Sequence, residues 1–179
     1  GDSPARIATV LAVATRAVDD YTHRNFTVPT AATARVFAAP DNGDDVLYTH
    51  DIANTIGLVV VDNGTALVNG TDFQLEPLNA VWPNGAVGAY TSLRRIAGAW
   101  TIDSRRAAKI TVTARWGWPA TPEGVVEATL LIAADLWNAK DARFGVQSFV
   151  DGGYARVREN AMACSLLDPY VSYARAGIA

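Results

Sequence analysis

Residues that could do chemistry are few, and most stand at the wrong spacing. Gly1-Asp2-Ser3 matches the start of a GDS motif, whose serine attacks an ester carbonyl. That motif needs a preceding strand to present the hydroxyl, and nothing precedes it here. Ser3 followed by Pro4 reads instead as a helix start. His23 falls at a predicted helix end and His50 in a turn-rich segment, each without a partner at metal-ligand spacing. Asp41, Asp44, Asp45 and Asp51 lack the alternate acidic positions and terminal glutamate of a calcium loop, so they read as solvated turns. Cys164 is the single cysteine. It excludes an internal disulfide, cannot by itself make a zinc site, and lies on the apolar stripe of a predicted helix, where a buried structural role is expected. Asn25, Asn63 and Asn69 open formal glycosylation sequons, but the last two are explained by tight turns. No phosphate-cradling glycine loop occurs. Arg94, Arg95, Arg105, Arg106 and Lys109 form a basic group. With Asp103 and the acidic turns beside it, a solvated strand face or a partner-facing patch is expected rather than a DNA site. No metal, cofactor or enzymatic activity is therefore expected.

The totals bound the class. A chain of 179 residues, half of them hydrophobic and 18% charged, has enough apolar material for a real core. The net charge of −3 argues against nonspecific nucleic-acid binding. No apolar run is long enough to span a bilayer. With Arg6, Arg16 and Asp19 in the first predicted helix, no secretory signal is expected.

The elements that position these residues are organised around 116–144. Trp116, Trp118 and Pro119 end a strand; Thr121 is a cap candidate, Pro122 suits a first helical turn, and Glu123 and Glu127 complement the positive end of the helix dipole. Val125, Thr129, Ile132 and Leu136 form one helical stripe and Val126, Leu130, Ala133 and Trp137 a second. Leu131 intrudes on the polar stripe of Glu127, Asp135 and Asn138. A helix apolar over most of its girth is buried on more than one side. It is either the central helix of a small domain or one sandwiched between its own domain and a neighbouring subunit. Leu131, Glu127 and Asp135 are the candidate oligomer interface.

Upstream, Ile7, Val10, Leu11, Ala14, Val18 and Tyr21 predict a helix over 4–23. From Thr30 onward, β-prone runs alternate with turns: 33–37, 46–48, 57–61, 66–68, 72–75, 90–96 and 107–116, with Asp62-Asn63-Gly64 as a hairpin turn. Only the last run is long. Val157, Ala161, Cys164 and Leu167 predict a short helix over 155–167, ended by Pro169. The expected fold is α+β: a small helical bundle from an N-terminal helix, a long central helix and a short C-terminal helix (1–29 and 117–179), with an inserted antiparallel β-sandwich or barrel-like domain (30–116).

The Trp116-Gly117-Trp118-Pro119 step, Pro122, and the helix end Leu136-Trp137-Asn138 together resemble the head-to-tail connector (adaptor) proteins of long-tailed bacteriophages, closest to those of actinobacterial phages. Ser165-Leu166-Leu167-Asp168-Pro169-Tyr170 is similar to that family's Leu-Leu-x-Pro-Tyr ending, the segment Val68–Ala80 to its inserted β-domain, and the first helix to its first helix. The resemblance covers nearly the whole chain. It departs where Val171-Ser172 stand in place of the two arginines that often follow Pro-Tyr. It implies a non-enzymatic virion protein of the neck, assembled in the bacterial host cytoplasm. The implied assembly is a ring, usually of twelve copies, between the portal and a stopper, head-completion or tail-terminator protein. Double-stranded DNA would pass through the lumen without sequence-specific binding, which a mildly acidic protein favours. It also points the chain end toward the portal, so Tyr170, Val171, Tyr173 and Arg175 either dock there or, for Tyr170, fold back on the first helix. A competing expectation is a β-rich module that binds a carbohydrate or a protein surface, with Trp82, Tyr90 and Trp100 as stacking rings.

Overall fold

Helix α1, Pro4–Thr22, begins at a proline, whose missing N–H is no loss in a first turn. It tolerates its threonines because Thr9, Thr15 and Thr22 each donate to the carbonyl four residues back. His23 adopts φ +54°, a left-handed conformation that stops the helix. The computed structural model describes residues 4–40, 43–82, 85, 87–102, 109–138 and 160–172, and the backbone of 146–148 and 154–156. Of the residues singled out above, Gly1, Asp2, Ser3, Asp41, Asp103, Arg105, Arg106, Val157, Tyr173 and Arg175 lie outside the described residues.

Helix α2, Glu123–Asn138, takes its first backbone bonds on the Pro122 carbonyl, which accepts from Val125 and Val126. The third helix departs from expectation. Residues 154–156 are not helical: strand β9, Tyr154–Arg156, pairs antiparallel with β8, Val146–Ser148. Helix α3 is confined to Ala161–Leu167. Its start is set by Asn160, whose side chain accepts from the Ala163 N–H, a capping signal that the apolar spacing of Val157 did not carry. A short 3-10 turn, Asp168–Tyr170, follows through Pro169.

Among the described residues between α1 and α2 lie seven strands: β1 Thr33–Phe37, β2 Val46–Ile52, β3 Val59–Asp62, β4 Thr65–Leu67, β5 Phe73–Glu76, β6 Tyr90–Arg95 and β7 Ile110–Ala114. They form a four-stranded sheet in the order β1-β7-β3-β4 and a three-stranded sheet in the order β2-β6-β5, both antiparallel. The β3–β4 hairpin turns on Asn63 and Gly64, at φ +47° and +86°, as a two-residue turn of this kind requires. The longest strand is β2, not the last. It runs past Tyr48 through a register shift to Ile52, which bridges Trp116 beyond the end of β7. Inward rows from both sheets make one core, with Leu47, Ile52, Phe73 and Leu93 from one layer and Val60, Ile110 and Val112 from the other. The fold is therefore α+β, three helices with a two-sheet β domain.

Two compact units result, Gly1–Arg24 with Thr121–Ala179, and Asn25–Ala120. The segments 25–29 and 117–120 go with the sheets. Phe26 and Trp118 are both buried with ring centroids 5.2 Å apart, and Gly117 lies directly against the Thr27 carbonyl at φ +136°. No described helix is long and apolar enough to cross a membrane.

Candidate functional site

In the helical unit, α1 and α2 run antiparallel. The Arg6 guanidinium sits over the Trp137 ring at 5.9 Å, so the start of α1 meets the end of α2. The buried positions are mostly small: Ala14, Val18 and Thr22 on α1, Val125, Ala128 and Ala133 on α2, Ala163 and Leu167 on α3. Of the two apolar stripes on α2, the first is buried at Val125 and half-buried at Thr129, Ile132 and Leu136. The second is divided, with Ala133 buried, Trp137 half-buried, Val126 exposed and Leu130 exposed to 51%. Together with Ile7 and Leu11, also exposed, Leu130 rims an apolar groove of about 460 Å³ floored by Val10, Ala133 and Trp137.

The predicted interface residues do not behave alike. Glu127 is exposed, and Leu131 is half-buried rather than bare. Asp135 is exposed yet accepts from the Asn160 side chain at 2.8 Å, steadying the residue that caps α3. The exposed leucine of this helix is Leu130, one residue earlier. The second stripe was its signal in the sequence.

The chain end is strapped to α1. Tyr21 donates its hydroxyl to Asp168 at 2.7 Å, Arg24 Nε donates to the Tyr170 carbonyl at 2.6 Å, and the Ser172 N–H donates to the Thr22 carbonyl at 2.9 Å. Bonding to the Asp168 carboxylate, then burial, holds the Tyr21 phenol well above the ordinary tyrosine range. Tyr170 and Val171 are half-buried, and Tyr170 lies near Gly124 at the start of α2. The tail thus folds back on α1 as far as Ser172. Cys164 is a free thiol, half-buried rather than enclosed, because the dry face of α3 is carried by Ala163 and Leu167.

In the β unit, the polar candidates serve the fold. Arg94 bridges Asp45 at 2.8 Å and Glu76 at 2.7 Å, and both carboxyls are held below their usual range by those hydrogen bonds. Asp51 accepts from Trp118 Nε1 and Asp62 from the Thr101 N–H. His50 packs among Phe37 and Trp116, with ring centroids 5.8 and 6.0 Å away. No cluster of metal-ligating side chains occurs among the described residues. The rings offered for sugar stacking are engaged internally. Trp100 is buried, with its Nε1 on the Asp45 carbonyl, and Trp82 packs against Trp118 at 5.1 Å.

The outer faces of the two sheets differ. Across the four-stranded sheet, two outward rows run Ala34–Thr113–Val59 and Val36–Thr111–Val61–Ala66, without a charge. Val36 is 59% exposed and Val59 50%. The corresponding rows of the three-stranded sheet run Val46–Arg94–Gln74 and Tyr48–Ser92–Glu76, so that face carries an ion network beside an exposed Tyr48 and the buried Val46 and Ser92.

No family model matches the sequence, and no curated protein matches it significantly. Solved structures do share the fold. A chain from the neck of an empty gene transfer agent (GTA) particle, computed with C6 symmetry, aligns with a TM-score of 0.57 and 16% identity over 96% of this chain and 80% of that one. A chain of the native GTA virion aligns with a TM-score of 0.54 and 18% identity, covering 96% and 79%. A chain from the native neck computed with C12 symmetry gives 0.51 and 17%, covering 94% and 82%. At this identity the likeness establishes a common fold.

Proposed function

We propose that this chain is a structural, non-enzymatic component of the neck of a phage-like particle, a head-to-tail connector (adaptor) that forms a ring of twelve copies. The carrying observation is the shared fold along nearly the whole chain with chains of GTA necks. The helical unit adds support, since it leaves Ile7, Leu11, Val126 and Leu130 outside its own core, where a neighbouring copy would cover them. Leu131, Glu127 and Asp135 border that contact. In this reading the ring sits between the portal and a stopper, head-completion or tail-terminator protein, in the virion neck, after assembly in the host cytoplasm. Double-stranded DNA passes through its lumen. A net charge of −3 lets DNA slide rather than adhere, because affinity grows with each phosphate paired to a lysine or arginine. The portal contact is assigned to the chain end, with Tyr170 and Val171 as its base and Tyr173 and Arg175 beyond them.

Electron microscopy of the purified protein mixed with its portal tests the reading. Rings seated on the portal are expected; a protein that stays monomeric and unbound at every ratio would refute it. Removing 173–179 is expected to leave the fold intact, since the bonds from Asp168, Tyr170 and Ser172 to α1 and Arg24 are kept, and to reduce portal binding in co-sedimentation.

A further inference from the structure

The chain leaves the helical unit after Arg24 and returns to it at Thr121. Both crossings lie beside a helix end, and the same late segment, 166–172, meets each of them. At the first, α1 stops where His23 turns left-handed, and the last carbonyls of a helix have no partner within it. Here one of them is satisfied from far along the chain. The Thr22 carbonyl accepts from the Ser172 N–H at 2.9 Å, and Thr22 is fully buried, so no water replaces that donor while the fold is closed. Tyr21 and Arg24 hold Asp168 and the Tyr170 carbonyl across the same few residues. At the second crossing, the Leu166 carbonyl and the Tyr170 ring lie against the first turn of α2. A Cβ on Gly124 would stand 3.6 Å from the one and 3.8 Å from the other.

The segment is not held evenly. Leu167 is buried and anchors α3. Beyond it, Asp168 and Pro169 are exposed, and Tyr170, Val171 and Ser172 are half-buried. Their hold on α1 is three hydrogen bonds, with little buried apolar surface. Segments of that kind open at the low end of a protein's range of local stabilities.

We infer that 168–172 is a releasable latch on both crossings. Closed, it caps α1 and covers the first turn of α2. When the chain beyond Ser172 is drawn away, it opens back to Leu167 and loosens the two helix ends together. A single grip on the chain end therefore acts at both points where the helical unit hands the chain over. The latch lies within one copy and needs no ring.

Amide hydrogen exchange of the full chain tests this, with two variants. Ser172→Pro removes the N–H that caps α1, and Val171 already holds an extended conformation that suits a residue before proline, at φ −62° and ψ 129°. Exchange is expected to rise at least about tenfold at Tyr21 and Thr22 on α1. It should rise equally at Val125 and Val126, whose N–H groups donate to the Pro122 carbonyl, and stay unchanged at Val60, Leu93 and Val112 in the β core. Tyr21→Phe removes one bond of the latch and should raise exchange at the same four amides by about two- to fivefold. A rise on α1 alone would make the segment a cap for one helix and would overturn the inference. So would no change at either helix end. If Ser172→Pro also speeds exchange in the β core, it has unfolded the chain, and the comparison of the two helix ends in Tyr21→Phe then decides.

Discussion

The two units of this protein place their large apolar side chains oppositely. The β unit buries Ile52, Phe73, Leu93, Trp100 and Ile110 in a core shared by two sheets. The helical unit closes mainly on alanine, valine and threonine, and leaves Ile7, Leu11, Val126 and Leu130 in solvent. Burial of a leucine or isoleucine side chain contributes roughly 1.5–3 kcal/mol. One unit realises that gain internally, while the other leaves part of it unrealised. Under the proposed ring, fold stability and assembly rest on different residues, and substitutions should separate them.

The largest effect on stability is expected in the β core. Leu93→Ala should cost about 2–5 kcal/mol in urea unfolding, because the sheets on either side cannot collapse around the lost volume. A cost under about 1 kcal/mol would show that this core is not the stable half. Next comes Gly117→Ala. A Cβ there meets the Thr27 carbonyl at a left-handed φ of +136°, so about 1–3 kcal/mol should be lost, read as a lower Tm with the helical signal retained to the transition.

In the helical unit the order of effects reverses. Tyr21→Phe removes one exposed strap bond and should cost no more than about 1 kcal/mol. Since the folded phenol is raised above its ordinary value, its contribution is fully present below about pH 10 and is lost at higher pH as the ring ionises. Alkaline melts of wild type and variant should converge; a gap that persists would remove the phenol from the strap. Leu130→Glu should change monomer stability by less than about 0.5 kcal/mol yet abolish ring formation in sedimentation. Leu131→Glu, one residue on but half-buried, should weaken both. Equal loss of stability in the two variants would erase the distinction between the exposed Leu130 and the half-buried Leu131.

The smallest effect is expected at the surface of the three-stranded sheet. Asp45 and Glu76 are held below their usual range by Arg94, so the network stabilises above about pH 4 and its contribution fades as pH falls through the lowered values. Arg94→Gln should lower Tm slightly at pH 7, with the difference from wild type vanishing in acid. A difference that widens in acid would contradict this origin.

Much of the architecture was legible from local chemistry. Pro4 and the run Ile7–Tyr21 located α1 to within a residue, Asn63-Gly64 located the hairpin, and β1 was read at its observed bounds. Apolar spacing alone runs the third helix back to residue 155, whereas the Asn160 side chain, accepting from Ala163, sets its start. The sequence of the tail is compatible both with docking and with folding back. The bonds that decide it join Tyr21 to Asp168 and Arg24 to Tyr170, and nothing near Tyr170 in sequence announces them.

By itself the sequence determined the periods, the turns and the existence of two apolar stripes on the central helix, because these depend on neighbours within a few residues and on backbone sterics. Only the tertiary structure decided which residues of the two stripes are dry, that Asp135 steadies the cap of α3, and that one sheet presents an uncharged face while the other presents an ion network. Those outcomes depend on which distant segments pack against a given side chain, and a hydrophobic pattern states that a surface needs covering without stating by what.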